Sequence, residues 1–219
     1  MHSALWTVST FILPLFFAII LHELAHGFVA LKMGDNTAKM AGRLTLNPIH
    51  HIDPVGSILV PTLLFLTGSG VMFGWAKPVP VNFHALRDEK HDMGLVALAG
   101  PVTNFLLAIV SVLLMVTWQS FVPVSPVGQW FFDMFQAFFM INIALCAFNL
   151  LPILPLDGGR ILASILPNKL ASEYAQTEKY GFYILLGILF ILPLMGVDFL
   201  RAYMRWMTSG LTDLIAFFM

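Results

Sequence analysis

The run Ile19-Ile20-Leu21-His22-Glu23-Leu24-Ala25-His26-Gly27-Phe28-Val29-Ala30 sets two histidines and a glutamate inside an otherwise apolar stretch. That stretch extends from about Leu5 to Leu31, long enough to cross a bilayer core, which takes about 20 predominantly apolar residues. A charge placed centrally in such a segment costs ~2.5–3.5 kcal/mol on the insertion scale, so these polar side chains require compensation. A metal ion supplies it. A spacing of four puts His22 and His26 on one helical face, where their imidazoles can share one Zn2+ at ~2.0–2.1 Å. Glu23 sits beside them, where a general base for water attack is needed. The competing reading is a hydrogen-bonded polar cluster that ties helices together without a metal.

Composition supports burial of this motif in lipid. The 219 residues are 58% hydrophobic and only 11% charged, with a mean hydropathy of +0.85. A soluble domain is about a quarter charged, so the chain reads as an integral membrane protein. A net charge of −1 argues against a nucleic-acid partner. The single cysteine, Cys146, excludes an internal disulfide framework and reads as a small buried hydrophobe. Met1-His2-Ser3 lacks a basic region, and the apolar run after it is too long for a signal peptide, so the first segment is expected to remain as a transmembrane helix.

Further apolar segments lie at about Val55–Phe73, Met93–Trp118, Trp130–Leu151 and Gly181–Val197, with a mixed one at Phe199–Met219. The pattern predicts an all-α polytopic membrane protein with about 4–6 membrane segments. It forms one domain over residues 1–219, with a catalytic core at about 5–166 and C-terminal membrane segments at 181–219. The stretch Val55–Phe73 carries Pro61 and is flanked by glycines. Lys32, Lys39 and Arg43 precede it, and Lys77, Arg87 and Lys90 follow it. Basic residues on both flanks place both ends on one side, which predicts a re-entrant segment. With Arg160, Lys169 and Lys179, nine of the 11 Lys and Arg residues then face the cytoplasm, and the outer loop Gln119–Gln129 has none. This orientation puts the N-terminus outside. In the tail, apolar Leu200, Met204, Met207, Leu211, Leu214 and Phe218 alternate with polar residues, a period suited to an interfacial helix or a further span.

A catalytic zinc usually takes three protein ligands and keeps one open position. The best third donor is Asp157, in Asn149-Leu150-Leu151-Pro152-Ile153-Leu154-Pro155-Leu156-Asp157-Gly158-Gly159-Arg160. Two prolines ahead of it unwind the backbone, and two glycines after it allow close approach. Capping of a helix at Gly158–Leu166 is the alternative role for Asp157.

In order along the chain, His22-Glu23-x-x-His26, Ala99-Gly100-Pro101-Val102-Thr103-Asn104 and the Asn149–Gly159 stretch resemble the site-2 protease family of intramembrane zinc metalloproteases, the M50 peptidases. The resemblance implies one Zn2+ per chain on His22, His26 and Asp157, with Glu23 as catalytic base. It also implies that Asn149 and Pro152 hold the substrate strand. It is closest to small members without sensor or nucleotide-binding domains, which also carry Gly74-Trp75-Ala76-Lys77-Pro78-Val79-Pro80-Val81-Asn82. That stretch is expected to form a small β-loop near the active site. The alternative is an ordinary interfacial loop anchored by Trp75; Pro78 and Pro80 permit at most an edge strand.

The expected activity is a metalloendopeptidase that hydrolyses peptide bonds of membrane-spanning proteins, in the inner membrane of a prokaryote. His22 lies about 9 residues, or ~14 Å, from the inner end of its apolar run, so cleavage is expected near the cytoplasmic side. One alternative is a prenyl-protein-type metalloprotease, which needs a later Glu or His ligand; the other is a metal or proton transporter or scaffold built on the same cluster. Asn104 and Asn142 read as bonds between helices, and His50, His51 and Asp53 as a wet loop cluster rather than a second metal site.

Overall fold

A backbone in lipid must satisfy its own hydrogen bonds, which an α-helix does within one segment. The computed structural model describes residues 4–66, 74–123 and 125–218; these form helices joined by turns and loops, with no strand among them. In chain order the helices are α1 (Ala4–Lys32), α2 (Val60–Leu66), α3 (Glu89–Phe121), α4 (Pro126–Asn149), α5 (Asp157–Ile165), α6 (Asn168–Ala175), α7 (Glu178–Leu186) and α8 (Phe199–Phe218). Shorter turns lie between them. By length and composition α1, α3 and α4 can each cross a membrane.

Local chemistry sets their ends. The Asp88 carboxylate accepts from the His91 amide ahead of α3, and Glu89 and Asp92 place acidic charge in its first turn. Ser125 caps α4, with Pro126 at its first position. α4 stops at Asn149, just before Pro152 and Pro155.

The three long helices pack as a bundle. α1 and α3 run antiparallel, with Ala18, His22, His26 and Ala30 facing Asn104, Gly100 and Val96. Both sets repeat every four residues, so two ridges of that spacing meet. α4 runs parallel to α1, pairing Trp6 with Asp133 and Ser9 with Trp130 near one end. Trp6, Trp118 and Trp130 gather at that end, as aromatic side chains do at a membrane interface. Lys32, Arg87, Lys90 and Arg160 lie around the other end.

The Val55–Phe73 stretch divides into a π-type turn at Pro54–Leu59 and the short helix α2; residues 67–73 lie outside the described residues. Asp53 caps the turn through the Val55 and Gly56 amides. The Trp75 amide donates to the Gly56 carbonyl at 3.1 Å, and Ser57 Oγ donates to the Trp75 carbonyl at 2.9 Å. The segment therefore leaves and returns at one point.

The Gly74–Asn82 stretch forms no strand. Its Trp75, Lys77 and Val79 amides go to Gly56, His51 and Glu23, acceptors that form no ladder. Past α6 the chain turns by 58° into α7, which continues through Gly187–Ile191 and Leu192–Leu194. If this bent pair is one span, the number of helical spans rises from three to four, the lower bound of the range expected from sequence. α8 lies along α4 in the opposite sense: Tyr203 Oη donates to the Ala147 carbonyl, and Ile215 packs with Ile143 and Ala108.

Candidate metal centre

His22 and His26 project from the C-terminal half of α1 toward α3 and the start of α5, and both are largely buried. Gly100 of α3 makes room for them. A Cβ there would stand 2.4 Å from His26 Nε2 and 2.6 Å from His22 Nε2. Asp157 arrives by a different route. After α4 ends, Leu151–Leu156 turns back on itself, with the Ile153 amide on the Leu151 carbonyl and the Leu156 amide on the Ile153 carbonyl. Gly158 and Gly159 then pass so close to this loop that a Cβ would lie 2.3 Å from the Leu150 carbonyl oxygen and 2.5 Å from Leu154 N. Asp157 does not cap α5; Leu156 holds that position and no side chain bonds there.

The three side chains converge. His22 Nε2 and His26 Nε2 are 3.0 Å apart, and Asp157 Oδ2 is 3.2 Å from the first and 3.4 Å from the second. Their other ring nitrogens settle where the protons are. His26 Nδ1 faces the Val96 carbonyl at 2.7 Å, which can only accept. His22 Nδ1 faces Asn104 Oδ1 at 2.5 Å, while Asn104 Nδ2 donates to the Ala18 carbonyl and to Asn142 Oδ1. Both Nδ1 atoms thus carry hydrogen, and a neutral imidazole in that tautomer turns its Nε2 lone pair toward Asp157. Asp157 Oδ2 stands within ion-pair distance of both rings, yet it is buried and receives no hydrogen bond. Two imidazole Nε2 atoms and a carboxylate oxygen gathered in one buried place form a donor set suited to a metal cation.

Zinc fits this donor set. Ligand atoms at about 2.0–2.1 Å from a tetrahedral Zn2+ stand about 3.3–3.4 Å from one another, close to the separations found here. The buried chain Asn104–Asn142 and the Val96 carbonyl are the outer partners that orient such imidazoles. Among the described residues this is the one group of three His, Cys, Asp or Glu side chains so placed. His51 bonds the Thr45 carbonyl and Asp53 caps a turn, so the polar cluster before α2 is structural.

The remaining predicted residues are placed as follows. Glu23 is half-buried on α1, and its Oε2 accepts the Val79 amide at 2.7 Å. Asn149 Nδ2 donates to the Leu145 carbonyl one turn back, at 3.0 Å. The Pro152 carbonyl accepts Tyr174 Oη at 2.9 Å, so α6 braces the loop that carries Asp157. The sequence reading gave Gly100 and Val79 no role of their own. The signal was there for Gly100: its spacing of four from Asn104 repeats that of His22 and His26.

A membrane helix bundle with an H-E-x-x-H helix and a convergent third carboxylate defines an integral metallohydrolase. Residues 121–192 match the sequence profile of Peptidase family M50. The chain is 40% identical over 185 residues to YwhC of Bacillus subtilis, covering 84% of this chain and 80% of YwhC. It is 32% identical over 200 residues to Rip2 of Mycobacterium tuberculosis, covering 91% of this chain and 73% of Rip2. Both relatives bear the name "Putative zinc metalloprotease". No solved structure matches the chain. The chain belongs to peptidase family M50. It is a site-2-protease-like zinc metalloprotease, a metalloendopeptidase of the membrane.

Proposed function

We propose that this protein binds its zinc through His22, His26 and Asp157 and hydrolyses membrane-spanning protein substrates, with Glu23 as general base. The observation that carries this reading is the meeting of three metal-ligand atoms, His22 Nε2, His26 Nε2 and Asp157 Oδ2, within 3.4 Å of one another in a buried site. When bound there, zinc would make a water molecule more acidic and polarise a carbonyl. Glu23 takes the proton of the attacking water and passes it to the leaving amine. Asn104 and the Val96 carbonyl keep the imidazoles in the tautomer that presents Nε2.

Asn149 and Pro152 hold the unwound substrate strand. Their place between the end of α4 and Asp157 supports this role, as does the family resemblance. The orientation puts the N-terminus outside and the site toward the cytoplasm, in the inner membrane of a prokaryote. The tryptophan-rich end of the bundle and the basic end opposite it support that direction. The Val55–Phe73 segment enters and leaves the membrane on one side, in keeping with the bond between Trp75 and Gly56. α8 lies antiparallel along α4, its alternating polar and apolar residues suiting a helix at the membrane interface, and the chain works as a single domain.

Glu23→Gln tests the assignment. Purified and reconstituted with a single-span membrane peptide that the wild-type protein cleaves, it should keep its zinc and lose cleavage by at least about 100-fold. A variant that still cleaves contradicts the role of Glu23. A protein that moves zinc or protons across the vesicle, with or without Glu23, would be a transporter instead.

A further inference from the structure

The stretch Trp75–Asn82 crosses the C-terminal half of α1 as a strap. The Trp75 amide donates to Gly56 at 3.1 Å and the Lys77 amide to His51 at 2.9 Å. The buried Arg43 donates from Nη2 to the Lys77 carbonyl at 2.8 Å, and the Asn82 amide donates to Asp35 at 2.7 Å. Between these anchors the Val79 amide donates to Glu23 Oε2 at 2.7 Å. The bonded amides of residues 75, 77 and 79 stand at alternate positions, as suits an extended chain.

Val79 sits between Pro78 and Pro80, one fixing its own φ and the other disfavouring the helical region for the residue before it. Its side chain is 6% exposed and rests against Gly27, where a Cβ would stand 2.9 Å from Val79 Cγ1. The amide therefore has little freedom of direction. Among the described residues it is also the sole hydrogen-bond partner of the Glu23 carboxylate.

We propose that the Val79 backbone N–H is a positioning group for the general base. It pins Oε2 of Glu23, so that the carboxylate holds one orientation and Oε1 is left to accept the proton of the attacking water and release it to the leaving amine. The Val79 hydrogen stays on nitrogen throughout. Because the strap is tied to Gly56 and His51, the aim of the base depends on the Pro54–Leu66 segment as well as on α1. This inference rests on Glu23 acting as the base.

The test removes the N–H and little else. Replacing Val79 by its α-hydroxy acid turns the amide into an ester, and Val79→Pro removes the same hydrogen by ordinary mutagenesis. Each full-length variant is assayed in liposomes on the single-span peptide, with zinc content measured beside kcat and KM. The ester and proline variants should lose about 10–100-fold in kcat, with KM and zinc content within about 3-fold of wild type, because misplacing a reacting group by about 1 Å costs about that much. If Val79→Pro does not fold, the ester variant alone decides. An ester variant with unchanged or raised kcat would overturn the proposal, while cleavage by Glu23→Gln would overturn the reading beneath it.

Discussion

Asn104 Oδ1 lies 2.5 Å from His22 Nδ1, on the imidazole atom not aimed at the metal site, and Asn104 is fully buried. Its amide nitrogen is held by the Ala18 carbonyl and by Asn142, so the oxygen must face the histidine. One side chain thereby sets a tautomer in α1 and ties α1, α3 and α4 together.

Asn104→Ala should weaken zinc binding about 10–100-fold, the usual effect of losing an outer partner of a metal-bound histidine. It should also destabilise the bundle by about 1–3 kcal/mol, because Asn142 Oδ1 loses its donor. Zinc titration against a competing chelator and thermal unfolding in detergent measure the two effects. Wild-type zinc affinity in this variant would refute the orienting role.

Gly100→Ala offers a sharper contrast. Alanine ordinarily favours a helix over glycine by about 0.5–1 kcal/mol. Here its methyl would stand within 2.6 Å of both Nε2 atoms. Zinc affinity should fall at least about 10-fold, read by the same titration. An alanine variant that binds zinc like wild type would show that the α1–α3 contact at Gly100 is looser than described.

Asp35 gives a pH dependence outside the spans. Its burial alone raises the carboxyl pKa, but hydrogen bonds from the Thr37 hydroxyl and amide and from the Asn82 amide outweigh that and hold it below the usual carboxylate range. A lowered folded-state pKa means the folded state binds the proton less readily than the unfolded chain. This stabilisation is complete above the unfolded value and disappears as pH falls through the lower folded one. Thermal unfolding followed from pH 6 down to about pH 2.5 should show this acid loss in wild type, and Asp35→Asn should remove that part of it. Asp35→Asn should also cost about 1–3 kcal/mol at pH 7, since hydrogen bonds to a charged group are lost. An unchanged acid limb would contradict the bond to the strap.

Cysteine labelling checks the path of the chain. In a Cys146→Ala background, Lys39→Cys and His84→Cys flank the Pro54–Trp75 segment at exposed positions, and Val127→Cys lies at an exposed position in the first turn of α4. A membrane-impermeant maleimide should reach the first two from one side and the third from the other. Labelling of Lys39→Cys and His84→Cys from opposite sides would exclude a re-entrant segment.

Much of the site is legible in the sequence because lipid makes polar residues conspicuous. His22 and His26 are readable as a pair from their spacing, whereas the prolines and glycines around Asp157 suit a helix cap as well as a ligand, and only the family resemblance singles out the ligand role. What the sequence conceals are interactions of backbone groups. The Val96 carbonyl that orients His26 carries no letter of its own, nor does the Val79 amide on Glu23. The expected β-loop at Gly74–Asn82 is absent for a related reason: its prolines and alternation suit an extended chain, but its amides bond α1 and the hairpin instead of a strand. Helix number was read less well. Apolar length alone does not distinguish a straight span from the bend after α6, or an interfacial helix from a further span at α8.

Zinc content tests the central claim most directly. Wild type, His22→Ala and Asp157→Ala, purified in detergent and gel-filtered, can be analysed for metal per chain by mass spectrometry. Wild type should carry about one zinc, and each variant less than about a tenth of that, because the site has only three protein donors. Full zinc retention in Asp157→Ala would contradict the assignment of the three ligands.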